Sequence, residues 1–315
     1  MTTWIFYACL GIGAGALYAA FAMSVVVAYR GSGVLNLAVG ALAAVPAMTF
    51  AELRTSGDLV LPVVILPGRI ALGDPLGVLP AGSIALAVGL ALAALVYRLV
   101  VLPLRSSPPV TALVATVGVT LALQALLVKR FGNVTLRSPG VLPDDVVEFL
   151  GRPYPVDRVW LVGTVAVLAL VVVVVYRATR FGLATRAAFL DERGAVLLGL
   201  NPGRLGFQNW MFASALAALV GMLASSLGGV SPFNFSLYVI PALGAALAGR
   251  LRSIPVTVAV AVGIGAFEAV AVHVVAQRQV PRFFLGGISS LVPFAAIVLA
   301  LVVAGSRLPN RAMIL

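Results

Sequence analysis

An all-α, polytopic integral membrane bundle of about eight or nine transmembrane segments, some broken or re-entrant, is predicted by three observations. The 315 residues are 62% hydrophobic and only 10% charged, with a mean hydropathy of +1.12. A soluble domain carries about 25% charged residues, so this chain has too little polar surface to cover itself in water. Several apolar runs approach the roughly 20 residues that cross a bilayer. The charges, in turn, collect in the connections between those runs. The net charge of +11, from 21 Lys+Arg against 10 Asp+Glu, therefore reads as a topology signal and as contact with lipid headgroups, not with nucleic acid.

Apolar spans fall at about 4–29, 34–53, 81–102, 109–128, 159–176, 206–228, 236–249, 254–275 and 286–305. The first lacks a basic stretch before it and is too long for a signal-peptide core, so it is expected to be a retained span. Between the first and second stands "YRGSGVLNLAVGALAA" (Tyr29–Ala44), where Gly31 and Gly33 allow a tight connection or a broken helix start. Asn36 is costly in lipid unless it faces a partner or water. The small residues Ala38, Gly40, Ala41, Ala43 and Ala44 suit close helix packing. The segment 236–249 is too short to cross comfortably and reads as a half-helix or re-entrant piece.

Two connections are long enough to fold. Residues 54–80, with prolines at 62, 67, 75 and 80, read as a surface-lying or re-entrant turn, and residues 129–158, with balanced charge, as an aqueous folded loop. The stretch 177–205 carries Arg177, Arg180, Arg186, Arg193 and Arg204 against Asp191 and Glu192, which places it in the cytoplasm. Alternation then puts Arg30, Arg105, Arg250, Arg252, Arg307 and Arg311 on the same side, with Arg278 and Arg282 opposite. No linker divides the chain, so 1–315 reads as a single membrane domain.

One histidine and one cysteine cannot build a metal cluster or a disulfide, and no G-x-x-x-x-G-K-[ST] run exists for the chain to bind ATP itself. No cofactor and no enzymatic activity are expected. Polar residues inside spans are the candidates for function. Thr116, Thr120 and Gln124 share a four-residue spacing on one helix face and, with Asn36 and Gly40, are candidates for lining a solute path. Glu268 is a costly acid in a span, offset by about 140° from His273 on a helix, and is the sixth path candidate. Along 183–200, read as one helix, Ala187, Asp191, Ala195 and Gly199 form a narrow face of tiny residues around one charge, to which another protein could dock. Asn201-Pro202-Gly203 is expected to stop that helix.

These motifs resemble those of the branched-chain amino acid ABC importer permeases (LivH/LivM type). Arg186, Ala187, Asp191, Ala195, Gly199 and Asn201 match the family's cytoplasmic coupling loop, here 177–205. Gly33, Val34, Asn36, Ala38 and Gly40 match a second signature. Pro103, Leu104, Arg105, Thr116, Gly118, Gln124 and Gly132 match a third. Val39 departs from the family, which often has histidine there. The resemblance implies a multi-pass permease subunit of a prokaryotic inner membrane, importing branched-chain amino acids or a related small polar solute. It further implies separate cytoplasmic ATP-binding subunits docked on the coupling loop, a second permease subunit and an extracytoplasmic substrate-binding protein. The alternative is a self-sufficient secondary transporter or channel that works through Glu268.

Overall fold

A computed structural model describes residues 2–62, 68–143 and 145–277 and a few positions between 291 and 298. The expected span at 286–305, together with Arg278, Arg282, Arg307 and Arg311, lies essentially outside the described residues. Ten α-helices and two short hairpins are described, in the order α1 (Thr2–Ser32), α2 (Val39–Thr55), β1 (Asp58–Val60), β2 (Arg69–Ala71), α3 (Val78–Val96), α4 (Pro109–Phe131), β3 (Val146–Phe149), β4 (Arg152–Pro155), α5 (Asp157–Ala178), α6 (Arg180–Leu190), α7 (Glu192–Leu197), α8 (Pro202–Leu227), α9 (Asn234–Ala248) and α10 (Ile254–Gln277). Six are long and apolar enough to cross a membrane: α1, α3 with its extension to Val101, α4, α5, α8 and α10. The 17 residues of α2 and 15 of α9 reach about 25 and 22 Å at 1.5 Å per residue, short of a ~30 Å hydrocarbon core. The all-α expectation thus needs one addition. Both connections expected to fold carry a two-stranded antiparallel hairpin, with Leu59 opposite Ile70 in one and Val147 opposite Tyr154 in the other.

The described residues fall into two compact units. The first draws on Met1–Val26, Leu142–Val171 and the chain from Tyr238 onward; the second on Val27–Val141 and Val172–Leu237. In the first unit α1 and α10 come into backbone contact through glycine. A Cβ on Gly11 would meet the Gly265 carbonyl and Ala269, and one on Gly15 would meet Val262. Small residues permit such approach where lipid supplies no hydrophobic drive to associate. The β3–β4 hairpin is tied to α1: the Tyr154 hydroxyl donates to the Cys9 carbonyl at 3.0 Å, and the Arg152 guanidinium lies over the rings of Phe6 and Tyr7. Burial pushes the Tyr154 phenol above its ordinary pKa, which keeps it a neutral donor.

In the second unit α2 is the central element. Every residue from Val39 to Leu53 is buried, and the helix packs against α8, α3 and α4. A helix that is small and apolar all round belongs inside a bundle, and the contacts explain the composition. The Pro46 ring rests on Gly89 of α3, and Gly221 of α8 meets the Ala43 carbonyl. Fully buried Trp210 of α8 donates from its indole Nε1 to the Ala93 carbonyl of α3 at 3.1 Å.

Candidate functional site

α1 does not break at Gly31. That glycine lies within the helix, where a Cβ would collide with the Asn209 side chain. The break comes at Gly33, whose φ of +73° is a conformation that residues with a Cβ rarely adopt. Residues 33–38 are not helical, and α2 begins only at Val39. Asn36, expected at the start of a helix, sits in this unwound segment at 2% exposure. Its Oδ1 accepts from the Ala38 amide at 3.0 Å, so the side chain caps its own backbone.

An unwound segment in a membrane must satisfy its backbone from elsewhere, and α4 does this. The Thr116 hydroxyl accepts from the Leu37 amide at 3.4 Å, and its own proton is shared between the Leu113 carbonyl of α4 at 2.8 Å and the Leu35 carbonyl at 3.3 Å. One turn later the Thr120 hydroxyl, which bonds the Thr116 carbonyl of its own helix at 3.0 Å, also reaches the Leu37 carbonyl at 3.4 Å. A further turn on, Gln124 Nε2 donates to Ser236 Oγ at 2.8 Å in the first turn of α9. α9 also begins from an irregular stretch, where the Ser231 hydroxyl accepts from the Asn234 amide at 3.2 Å. A Cβ on Gly40 would strike the backbone of Phe235 and Ser236. The first turns of α2 and α9 therefore lie side by side, with the polar edge of α4 against both. Five of the six expected path residues, Asn36, Gly40, Thr116, Thr120 and Gln124, come together here. The sixth, Glu268, belongs to the first unit, where it accepts from the Tyr18 hydroxyl at 2.8 Å.

The stretch 183–200 is not one helix. α6 ends at Leu190, and Asp191 is extended (φ −146°, ψ 102°), its carboxylate accepting from the Gly194 amide as the N-cap of α7. A capping aspartate satisfies an amide that helix continuation would leave to the main chain, so the helix restarts there. The face expected from Ala187, Asp191, Ala195 and Gly199 is accordingly divided. Ala195 is buried at 3%, whereas Asp191 and Gly199 are exposed, and Gly199 closes α7 with φ +78°. Asn201 does not stop a helix. It caps α8 by accepting from the Arg204 amide, with Pro202 in the first turn, where the missing N–H costs nothing.

Outward, α6, α7 and the residue that ends α7 expose Leu183, Leu190, Val196, Leu197 and Leu198, each more than half exposed, among the exposed charges of Arg186, Asp191, Glu192 and Arg193. Their inner side is held by a buried polar network. The Tyr176 hydroxyl donates to Asn209 Oδ1, and Asn209 Nδ2 donates to Thr185 Oγ1 at 3.0 Å and to the Leu205 carbonyl at 2.7 Å. The Arg30 guanidinium stacks over the Tyr176 ring at 4.9 Å. In the sequence Tyr176 and Thr185 carried no signal, because their shared partner, Asn209, lies 33 and 24 residues away, respectively.

A many-helix membrane protein whose buried core is interrupted by two helix starts defines the class of membrane transport proteins. The chain belongs to the branched-chain amino acid transport system / permease component family, which matches residues 8–305. It is 25% identical over 312 residues to the high-affinity branched-chain amino acid transport system permease protein LivH of Salmonella typhimurium strain LT2, covering 96% of this chain and 94% of that one. With the LivH of Escherichia coli strain K12 it shares 28% identity over 179 residues, 55% of this chain and 56% of the relative. No solved structure matches the chain.

Proposed function

We propose that this chain is the membrane-spanning permease subunit of an ABC importer of the cytoplasmic membrane, carrying a branched-chain amino acid or a related small polar solute with ATP hydrolysed by a separate subunit. The observation that carries the reading is the pairing of the α2 and α9 first turns at Gly40 and Phe235–Ser236. Helix starts present amide groups and the positive end of the helix dipole, and two together suit the carboxylate of an amino acid. Among the described residues no group of three or more His, Cys, Asp or Glu could hold a metal, so the solute would be held by amides and hydroxyls. With the six long helices, nine crossings would follow if α2, α9 and the segment beyond Gln277 each cross, and eight if one of these does not. The names of the relatives support the solute class.

The ATPase would grip α6–α7 through Leu190, Leu197 and Leu198, with Arg186, Asp191 and Asn201 on the exposed rim, Ala187 half-buried beside them and Ala195 packing the loop from within. A binding protein would deliver solute from outside, and a second permease subunit would complete the path. Reconstituted in liposomes with its partner permease, ATPase and binding protein, the chain should take up leucine only when ATP is supplied. Leu197→Asp combined with Leu198→Asp should abolish ATPase assembly and uptake while leaving the permease folded. A second reading, ion-driven transport through Glu268, draws on the Tyr18–Glu268 hydrogen bond inside the first unit. It would be established by uptake that persists without the ATPase and is lost in Glu268→Gln.

A further inference from the structure

Between α3 and α4 the chain runs through two distorted turns. Tyr97–Val101 is a π-helical turn, closed by the Leu102 amide on the Tyr97 carbonyl at 2.8 Å. Pro103–Ser106 is a 3₁₀ turn that leads into Pro108 and Pro109 at the start of α4. A π turn at a helix end marks a place where the helix yields. Paired prolines, with φ fixed by their rings, make the entry to α4 stiff. Between the soft turn and the stiff one sits Arg105. Its Nη2 donates to Glu192 Oε1, on the first residue of α7, at 2.9 Å. The arginine side chain is only 17% exposed and its partner 51%. The α3 side is fixed separately: the Tyr97 hydroxyl donates to the Gly203 carbonyl at 3.1 Å.

We propose that Arg105 is a positioning residue that passes displacement of α7 to α4, and through Thr116 and Thr120 to the unwound segment 33–38. The inference rests on the importer reading above, since α7 moves only if an ATPase pulls on it. Displacement of Glu192 reaches Arg105 on the α4 side of the π turn. The stiff prolines carry it into α4, while α3 stays held at Gly203. The moving helix bears the hydroxyls that bond Leu35 and Leu37 and the amide that bonds Ser236, so the break in the membrane shifts as α4 does. With Glu192 half exposed, the pair contributes little to folding, and removing it should spare the fold and alter transmission.

The experiment is leucine uptake per ATP hydrolysed by the reconstituted complex of this permease with its partner permease, ATPase and binding protein. Arg105→Glu should lower that ratio about fivefold with ATPase still bound. Adding Glu192→Arg should restore it to within about twofold, and Arg105→Lys should stay near wild type. If Arg105→Glu fails to assemble, Arg105→Gln is read in its place with the same expected loss. An unchanged ratio in the charge-reversed or neutral variant, or no recovery in the double variant, overturns the relay. A wild-type complex without ATP-dependent uptake overturns the importer reading and the relay with it, and that outcome appears before any substitution is made.

Discussion

The unwound segment at 33–38 and the α6–α7 loop are both breaks in helix, and they are held in opposite ways. The first depends on distant residues: hydroxyls of α4, some 80 positions along the chain, bond the main chain of Leu35 and Leu37. The second is capped locally, with its inner side also fixed to α8 through Thr185 and Asn209. Thr179, Asp191 and Asn201 each cap the helix that follows within three residues. A locally capped module keeps its shape when moved, whereas a tertiary brace changes shape when its partner moves. The loop is therefore suited to being pushed as a body, and the segment to responding.

The comparison breaks hardest at Gly40. Its hydrogen stands where a side chain would enter the backbone of Phe235 and Ser236, so Gly40→Leu must separate α2 from α9. Overpacking of this kind costs about 1–3 kcal/mol or more. Uptake should be abolished and thermal unfolding in detergent should occur at lower temperature. Gly118→Leu, at a position with open space around it, should leave both nearly unchanged.

Removing one brace tests the segment more gently. Thr116→Val keeps the shape and deletes the hydroxyl shared by the Leu35 carbonyl and the Leu37 amide. Polar groups left unpaired in a buried setting cost about 1–3 kcal/mol. The expected outcome is a fall in uptake with ATPase assembly intact, measured by transport assay and pull-down on the same preparation. Thr164→Val, on an exposed hydroxyl of α5 that bonds only its own helix at Trp160, is the matched control.

How much of this was legible in the sequence follows from the range of the interactions. The four-residue stripe of Thr116, Thr120 and Gln124 was readable because helix periodicity is local, and Asn36 stood out because a bare amide in hydrocarbon demands a reason. What those groups bond to was not readable, since Leu35, Leu37 and Ser236 are neighbours only after folding. The capping role of Asp191 was local and still missed. Alanine and glycine at four-residue spacing suggested a continuous face, while an aspartate three residues before an amide offers the chain a competing geometry. Asn201-Pro202 carried the same kind of sign, since a capping residue followed by proline opens a helix more readily than it closes one. The two hairpins were hidden among mixed charges and prolines, with strands of only three or four residues.

The smallest effect separates the cap from the charge at Asp191. If the carboxylate served the ATPase as a charge, Asp191→Asn and Asp191→Ala would weaken assembly alike. In the geometry seen here, Oδ1 accepts from the Gly194 amide, and an asparagine carbonyl can do the same. Asparagine and aspartate are near-equivalent caps, whereas alanine costs about 1 kcal/mol. Assembly with the ATPase should therefore be almost unchanged in Asp191→Asn and reduced several-fold in Asp191→Ala, as titrated by binding in detergent. Asp191→Arg should be worse than either, because it loses the cap and adds a cation to the start of α7, where the helix dipole disfavours positive charge. Equal loss in the asparagine and alanine variants would move Asp191 from the frame of the loop to its contact face, and would make the loop the less self-sufficient of the two breaks.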